Sequence, residues 1–287
     1  FTNFFKKRAK YPTFKKKHNK QSIRLVGSAF SIRDNHLYIA KSKEPIDVRW
    51  SRPLEGDASS ITISKDSSDR YFVSILCEVQ AVPMPQKTNA IGLDLGLTTF
   101  VTTSNGDKYD PLKAYKKYEA KLAILQRKMS RKKKGSNNRN KARLKVAKCH
   151  AKIADIRKDY LHKLSSKLIN ENQVISIEDL DIVSMLKTGY LAKGISDAGW
   201  GEFITQLRYK GDWYGRDVVS VNQWYPSSQI CSACGTISGK KALTIRKWTC
   251  ACGASHDRDI NAAININRAG QARIAERSSA NACGDRE

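Results

Sequence analysis

Long apolar runs are absent from this 287-residue sequence. The longest ones, such as 75–77 and 122–125, fall far short of the roughly 18 residues that a bilayer span requires. The sequence therefore predicts neither a transmembrane helix nor a membrane partner. A secretory hydrophobic segment is also lacking at the start, which favours a cytoplasmic protein, associated with the nucleoid if the source is prokaryotic.

Acidic residues are scarce relative to basic ones. The chain has 27 Asp and Glu against 52 Lys and Arg, a formal net charge of +25. Few enzymes that act on small neutral substrates carry so much self-repulsion. The imbalance argues against a small-molecule substrate and indicates a polyanionic partner.

Cysteines are few and odd in number, which argues against a disulfide framework. Four of the seven lie close together in the last quarter of the chain, as Cys231, Cys234, Cys250 and Cys252. Two closely spaced thiol pairs joined by a longer spacer are typical of a zinc ribbon, in which four thiolates close a structural site. The second pair has one intervening residue, so its turn must be tighter than usual. Unligated core cysteines or a redox pair remain the alternatives.

Basic residues concentrate in two places. Between Lys113 and Lys167, Lys and Arg outnumber Asp and Glu by 20 to three, over two helical segments with a break at "RKKKGSNNRN". The segment 1–20 mixes aromatic and basic side chains, a combination suited to bases and phosphates. A solvated basic surface is the plain alternative for both. The predicted nucleic-acid contacts are Lys6, Lys7, Arg8, Lys15, Lys16, Lys17, Arg131, Lys132, Lys133, Lys134 and Arg139.

The hydrophobic pattern predicts two regions. Short alternating segments from 22 to 79 indicate a small antiparallel barrel or sandwich, and the proline-containing stretch 81–89 is typical of a linker. Beyond it, a hairpin, helices, strand, helix, strand and terminal helix describe an α/β sheet with the cysteine cluster as an insertion.

Three carboxylates stand at the ends of predicted elements: Asp94 after an apolar strand, Glu178 after another, and Asp259 at the start of the last helix. A divalent metal shared by several carboxylates removes the cost of placing acids there. From spacing alone, ion-paired structural acids are the favoured alternative. Other nearby acids are Asp179, Asp181, Asp197 and Asp257.

Several segments together resemble one family. "IGLDLG", "VISIEDL", "SDAGWGEF", "YPSSQICSACG" and "WTCACGASHDRDINAAIN" are similar, in this order, to the RuvC motifs and zinc ribbon of transposon-encoded TnpB proteins, relatives of type V CRISPR effectors. The resemblance runs from about residue 1 to about 273. It implies an RNase H-like nuclease, a guide RNA transcribed from the transposon end, and cleavage of target DNA beside a short flanking motif.

The resemblance also assigns residues and cofactors. The family's catalytic acids fall on Asp94, Glu178 and Asp259, which would hold two Mg²⁺ ions for phosphodiester hydrolysis, and the four cysteines would hold one structural Zn²⁺. Arg258 is a candidate for phosphate contact, with a surface ion pair as its alternative. Family members begin with further wedge strands and a recognition insertion, so we expect a chain shortened at its N-terminus.

The resulting domain prediction has five parts. We expect a partial wedge-like β domain with a basic arm at 1–85 and the first part of a RuvC-like domain, with its basic helical pair at 111–170, at 86–228. A zinc ribbon at 229–254, the last part of the RuvC-like domain at 255–273 and a disordered tail at 274–287 complete the prediction.

The alternatives to an RNA-guided endonuclease are a catalytically impaired RNA-guided DNA-binding protein, repressor-like or decayed, and a transposition accessory protein.

Overall fold

The computed structural model describes residues 1–12, 21–187, 189, 191–242 and 244–284. The chain divides into two compact units. The first contains residues 1–80 and 125–148, and the second contains residues 81–124 and 149–287. Lys15, Lys16 and Lys17 lie outside the described residues.

The described part of the first unit contains five strands, all paired antiparallel. Its first elements, in chain order, are α1 (Thr2–Phe5), β1 (Gln21–Val26), a 3-10 turn (Gly27–Ala29), β2 (Phe30–Arg33), β3 (His36–Ile39), β4 (Ala58–Lys65) and β5 (Tyr71–Cys77). Strand β4 lies between β1 and β5 in one antiparallel sheet, and β2 pairs with β3 in a hairpin. The hairpin turn is tight because Asp34 and Asn35 both adopt positive φ angles, which short polar side chains tolerate.

Two basic helices follow the order that the sequence predicts. Helix α2 (Ala114–Ser130) and helix α3 (Asn137–Glu171) are separated by a turn at 131–136. Gly135 has a φ of +82°, and Ser136 Oγ accepts a hydrogen bond of 3.2 Å from the Arg139 amide, which caps the start of α3. The predicted break between the helices is confirmed. Across the described ranges, no helix is both long and apolar enough to pass through a membrane.

A five-stranded mixed sheet forms the centre of the second unit. The remaining elements are β6 (Ala90–Leu95), β7 (Val101–Thr103), β8 (Lys108–Tyr109), β9 (Val174–Glu178), α4 (Ile182–Lys187), α5 (Ala192–Ala198), α6 (Trp200–Tyr214), β10 (Asp217–Val221), β11 (Lys247–Thr249), β12 (Ser255–Asp257) and α7 (Arg258–Gly284). The strand order is β10-β9-β6-β7-β8. Strands β10, β9 and β6 are parallel, so their carboxyl ends meet at one edge.

Helices cover both faces of this sheet. Leu93 and Ile177 are fully buried in the same core as Leu161 of α3 and Phe203 of α6. Gly92 alternates with Leu93 and so faces the opposite side, where it packs closely against the backbone of α7. The α/β class predicted from the sequence is confirmed.

The last helix is longer than expected. Helix α7 continues to Gly284, through most of the segment for which the composition predicted a disordered tail. The segment "ARIAERSSANA" contains four alanines and two arginines, which favour helix by intrinsic propensity. For 274–284 the prediction of a disordered tail was therefore wrong.

Candidate functional site

Three acidic side chains from distant parts of the chain meet at the carboxyl edge of the sheet. Strands β6 and β9 pair in parallel, with Leu93 opposite Ile177, so the next residues, Asp94 and Glu178, are neighbours across the two strands. Asp259 lies in the first turn of α7, the helix that packs against β6 and β9. The fold therefore brings together the three acids that the resemblance singled out.

The electrostatics of this edge show that the acids act on one another. Burial, together with the negative charges of Asp259 and Glu178, raises the pKa of Asp94 to about 8, and the charges of Arg258 and Arg246 oppose this rise. Burial also raises the pKa of Glu178. A cation bound between these acids would favour their ionised forms.

An arginine that the sequence reasoning missed lies against this edge. Arg246 Nη1 is 3.4 Å from each carboxylate oxygen of Asp259, and Arg246 Nη2 is 3.4 Å from Thr98 Oγ1. The arginine immediately precedes strand β11 of the cysteine-rich insertion. A cysteine pair and a strand hairpin separate it from Asp259 in the chain, so no local pattern revealed the contact.

Arg258, the arginine that the sequence did suggest, has a different contact. Its Nη1 donates a hydrogen bond of 3.0 Å to the Ala242 carbonyl. This bond ties the start of α7 to the cysteine-rich insertion. The suggestion that Arg258 meets a phosphate stays a prediction.

The other nearby acids have structural partners. Asp257 Oδ1 accepts hydrogen bonds from the amides of Asp259 and Ile260 at the start of α7, and its Oδ2 pairs with Lys108 Nζ at 2.7 Å. Asp181 Oδ1 caps α4 by accepting from the Ser184 amide. These contacts use the carboxylates to cap helices and pair charges.

Two further acids complete that set. Asp197 Oδ1 accepts a hydrogen bond of 2.9 Å from the Tyr115 amide at the start of α2. Asp179 is 65% exposed and pairs with Arg208 at 3.8 Å. Asp179 therefore lies next to Glu178 in the chain without sharing its burial.

The four clustered cysteines form the tightest group of potential metal ligands. Within the described part of the chain, they alone bring three or more His, Cys, Asp or Glu ligand atoms to within 4.8 Å of one another. The sulfur atoms of Cys231 and Cys252 are 3.8 Å apart, and those of Cys234 and Cys250 are 3.7 Å apart. A tetrahedral zinc site with Zn–S bonds of about 2.3 Å requires sulfur–sulfur separations of about 3.8 Å. The cluster therefore has the dimensions of a structural zinc site.

Backbone turns explain why the short second pair still fits. The Gly235 amide bonds to the Cys231 carbonyl at 2.8 Å, and the Gly253 amide bonds to the Cys250 carbonyl at 2.9 Å. Gly253 has a φ of +88°, which closes the turn of the second pair despite its single intervening residue. The predicted tight turn is present.

A histidine supports the cluster from outside. His256 Nε2 is 3.0 Å from Cys231 Sγ, and the His256 ring lies against Trp248 with a centroid separation of 4.7 Å. In the tautomer that carries its proton on Nε2, His256 donates to the Cys231 sulfur and orients it. His256 precedes Asp259 by three residues, so the cysteine cluster and the acidic edge share one short piece of chain.

Most of the predicted basic contacts are exposed. Lys6, Lys7 and Arg8 are exposed beside α1, and 131–134 are exposed in the turn after α2. Arg139 differs, because its Nη1 donates to the carbonyls of Met129 and Lys132 at 3.1 and 3.0 Å. That guanidinium holds the turn closed.

Two family models match the chain. Residues 74–189 match OrfB_IS605, described as "Probable transposase", and residues 200–266 match the TNB domain of Cas12f1-like proteins. Together they cover both strands and the start of the helix that carry the acidic edge. The two matched regions do not overlap.

Curated relatives match almost the whole chain. A protein of Streptomyces pristinaespiralis is 51% identical over 288 residues, covering 99% of this chain and 70% of its own length. InsQ of Escherichia coli K12 is 34% identical over 292 residues, covering 96% of this chain and 72% of its own length. Both are named "Putative RNA-guided DNA endonuclease". TnpB-like protein L79 of Acanthamoeba polyphaga mimivirus is 27% identical over 238 residues, covering 77% of this chain and 45% of its own length.

A solved structure shares the fold. The protein in a cryo-electron microscopy structure of a Cas12f1–sgRNA–target DNA complex superposes with a TM-score of 0.57 at 15% identity, covering 93% of this chain and 67% of that one. This likeness shows a shared fold, and the sequence relatives and the OrfB_IS605 match show that the chain belongs to the TnpB family.

Proposed function

We propose that this chain is an RNA-guided DNA endonuclease that hydrolyses phosphodiester bonds at Asp94, Glu178 and Asp259. The observation that carries the proposal is the meeting of these three acids, from two parallel strands and a helix, at one edge of the sheet. The names of the relatives and the fold shared with the Cas12f1 complex support it. On this proposal the sheet is an RNase H-like, RuvC-type nuclease domain.

The three acids suit magnesium. Carboxylate oxygens are the ligands that Mg²⁺ prefers, and a divalent cation would favour the ionised form of Asp94, whose pKa is raised by burial and by two like charges. Two Mg²⁺ ions held by these acids would supply charge neutralisation and activate the attacking water. On this proposal Asp94 and Asp259 would make most of the metal contacts, with Glu178 completing the site.

Arg246 has a separate role in this proposal. Its contact with Asp259 fixes that carboxylate, while 51% of the arginine side chain stays exposed. A guanidinium so placed can donate its remaining N–H groups to a phosphate at the edge. The cysteine cluster would then serve catalysis indirectly, because a structural zinc holds the segment that carries Arg246.

In this proposal the guide RNA recognises the target by base pairing, and the protein binds both nucleic acids through its positive charge. In RNA-guided enzymes, the guide reads the target sequence while the protein holds duplex backbones. Phosphates of target DNA, and of a guide RNA from the transposon end, suit the exposed cations Lys6, Lys7, Arg8 and 131–134. We propose the same role, contact with phosphates, for Lys15, Lys16 and Lys17. We further propose that the strands of the first unit form a wedge-like domain that holds the guide.

A matched pair of variants tests the site. The protein is co-expressed with its flanking genomic DNA, and cleavage of a matched plasmid is measured with and without Mg²⁺. Glu178→Gln should lower the rate by about 100-fold or more, whereas Asp179→Asn, one residue away and 65% exposed, should cleave like the unmodified protein. Asp94→Ala should remove cleavage and leave DNA binding nearly intact.

Three results would contradict the proposal. Cleavage by Asp94→Ala at the rate of the unmodified protein would refute the site. Guide RNA that co-purifies without any cleavage would instead indicate a binding-only protein, and the absence of both RNA and cleavage would favour a transposition accessory role.

A further inference from the structure

A single tryptophan projects from the protein beside the acidic edge. Trp224 is 81% exposed, the highest fraction among the large apolar side chains of the described residues. Exposure of an indole to this extent leaves most of its apolar surface in water, which is unfavourable for an isolated protein. Such a side chain is more readily explained by a ligand than by folding.

The position of Trp224 follows from the sheet. Val221, the last residue of β10, pairs with Glu178 at the end of β9. Trp224 comes three residues later, so its Cα lies within about 11 Å of that of Val221 even if the chain is fully extended. The tryptophan therefore belongs to the same carboxyl edge as the three acids.

The loop that presents Trp224 is held by hydrogen bonds. Asn222 Oδ1 accepts from the Trp224 amide at 2.9 Å, and the Asn222 carbonyl accepts from the Tyr225 amide at 2.9 Å. This is the side-chain turn that asparagine favours. The indole is thus presented on a defined turn.

Helix α7 anchors the far side of the same loop. Asn261 and Asn265, one turn apart and both buried, donate side-chain hydrogen bonds of 2.8 Å to the Ile230 carbonyl, and Asn265 donates another of 2.8 Å to the Ser227 carbonyl. The helix that carries Asp259 therefore also fixes the loop that carries Trp224.

Positive charge flanks the loop. Arg208 Nη2 donates to Ser220 Oγ at 3.0 Å, and Arg273 Nη1 donates to the Ser220 carbonyl. Arg208 comes from α6 and Arg273 from α7, so the two guanidinium groups approach the end of β10 from opposite faces of the sheet. An exposed aromatic ring on a loop that follows such a strand end, with cations nearby, is a combination that binds unpaired nucleic acid, because bases stack on the ring while cations meet phosphates.

We propose that Trp224 stacks on an unpaired base of the DNA strand that enters the acidic edge. The inference rests on the proposed nuclease function and adds the residue that holds the strand, whose bases are unpaired at the point of cleavage. Stacking does not read sequence, since every base offers a π face. Trp224 then holds the strand near the acids without restricting which target is cut.

Tryptophan fluorescence tests the contact apart from cleavage. Trp213 is the matched control, because it is 52% exposed on the same unit but precedes β10 and so lies at the opposite edge of the sheet. Single-stranded oligothymidylate is titrated, without Mg²⁺, into the purified full chain and into Trp224→Ala, Trp224→Tyr and Trp213→Ala. We expect quenching of the unmodified protein and Trp213→Ala, and roughly five- to 100-fold weaker binding by Trp224→Ala, measured by fluorescence anisotropy of labelled DNA. Trp224→Tyr should restore much of the affinity.

The outcomes separate the two proposals. Equal affinity and equal quenching for Trp224→Ala would overturn the stacking contact, whatever the cleavage assay shows. Equal losses for blunt duplex DNA and single-stranded DNA would also overturn it, since a paired base cannot stack on the ring. Loss of stacking in Trp224→Ala together with unimpaired cleavage by Asp94→Ala would uphold the contact and refute the nuclease site.

Discussion

Replacing Gly92 with alanine should separate the two elements that carry the acidic edge. A Cβ at Gly92 would lie 2.1 Å from the Ala263 carbonyl oxygen and 2.6 Å from the Asn267 amide nitrogen, where ordinary contacts begin at 3.4 Å. Both obstacles are backbone atoms of α7, so no side-chain rotation can relieve them. Strand and helix must therefore move apart at this point until both contacts reach ordinary length.

The displacement acts directly on the acids. Gly92 is two residues before Asp94 on β6, and Ala263 is one helical turn after Asp259 on α7. A misplacement of about 1 Å can cost about 100-fold in rate, and overpacking of this kind costs about 1–3 kcal/mol of stability. We therefore expect Gly92→Ala to cleave about 100-fold more slowly and to unfold at a lower urea concentration.

A second glycine provides the control for this experiment. A Cβ at Gly201 in the first turn of α6 would meet only Ile182 Cδ1 at 3.8 Å, so Gly201→Ala should keep its cleavage rate and its stability. Both variants are compared by plasmid cleavage and by urea unfolding followed by circular dichroism. Gly92→Ala with an unchanged rate and midpoint would show that α7 is not packed on β6 as described.

Three further outcomes follow from other contacts. We expect the unmodified protein to bind zinc in a one-to-one ratio and Cys231→Ser to lose it, together with protease protection of the C-terminal region; an equal zinc content by atomic absorption would refute the ligand assignment. Arg246→Ala should slow cleavage by about 10- to 100-fold with zinc content unchanged, because it removes the guanidinium beside Asp259 and leaves the cysteines intact. A normal cleavage rate would show that the contact between Arg246 and Asp259 is incidental. Burial raises the pKa of Asp66, but hydrogen bonds from Ser68 and Arg70 outweigh it and hold that pKa well below the unfolded value of about 3.9. These bonds to the ionised carboxylate therefore stabilise the folded protein above about pH 3.9, and this stabilisation disappears as pH falls through the folded pKa. Asp66→Asn should therefore lower the free energy of unfolding by about 1 kcal/mol at pH 7, a modest loss because solvent screens this surface carboxylate. The loss should become progressively smaller as the solution is acidified, and an equal loss at pH 7 and in acid would refute the linkage.

Local pattern was sufficient for the elements and for the cluster of four cysteines. Period-two alternation marked β4 and β5, and the apolar strands with a terminal acid marked β6 and β9. The cysteine spacing indicated a zinc ribbon because ligands in a knuckle are close in the chain as well as in space. The prediction from composition was wrong at 274–284, where small and charged residues form a helix rather than a disordered tail.

The residues of the acidic edge could be predicted only in part from the sequence. Spacing alone could not distinguish Asp94, Glu178 and Asp259 from the other acids nearby, and the family resemblance selected them. The structure supplies a physical reason for the distinction. Asp257 and Asp181 cap helices, whereas Asp94 is buried against two like charges.

The sequence by itself determined the α/β order, the basic character and the thiol cluster, since each depends on residues that are near one another in the chain. Only the tertiary structure placed Arg246 against Asp259 and Trp224 beside the acids. Those contacts depend on the register of parallel strands and on the path of the ribbon. Neither leaves a periodic or spaced signal in the sequence, because the partners are joined by packing between elements that are distant in the chain.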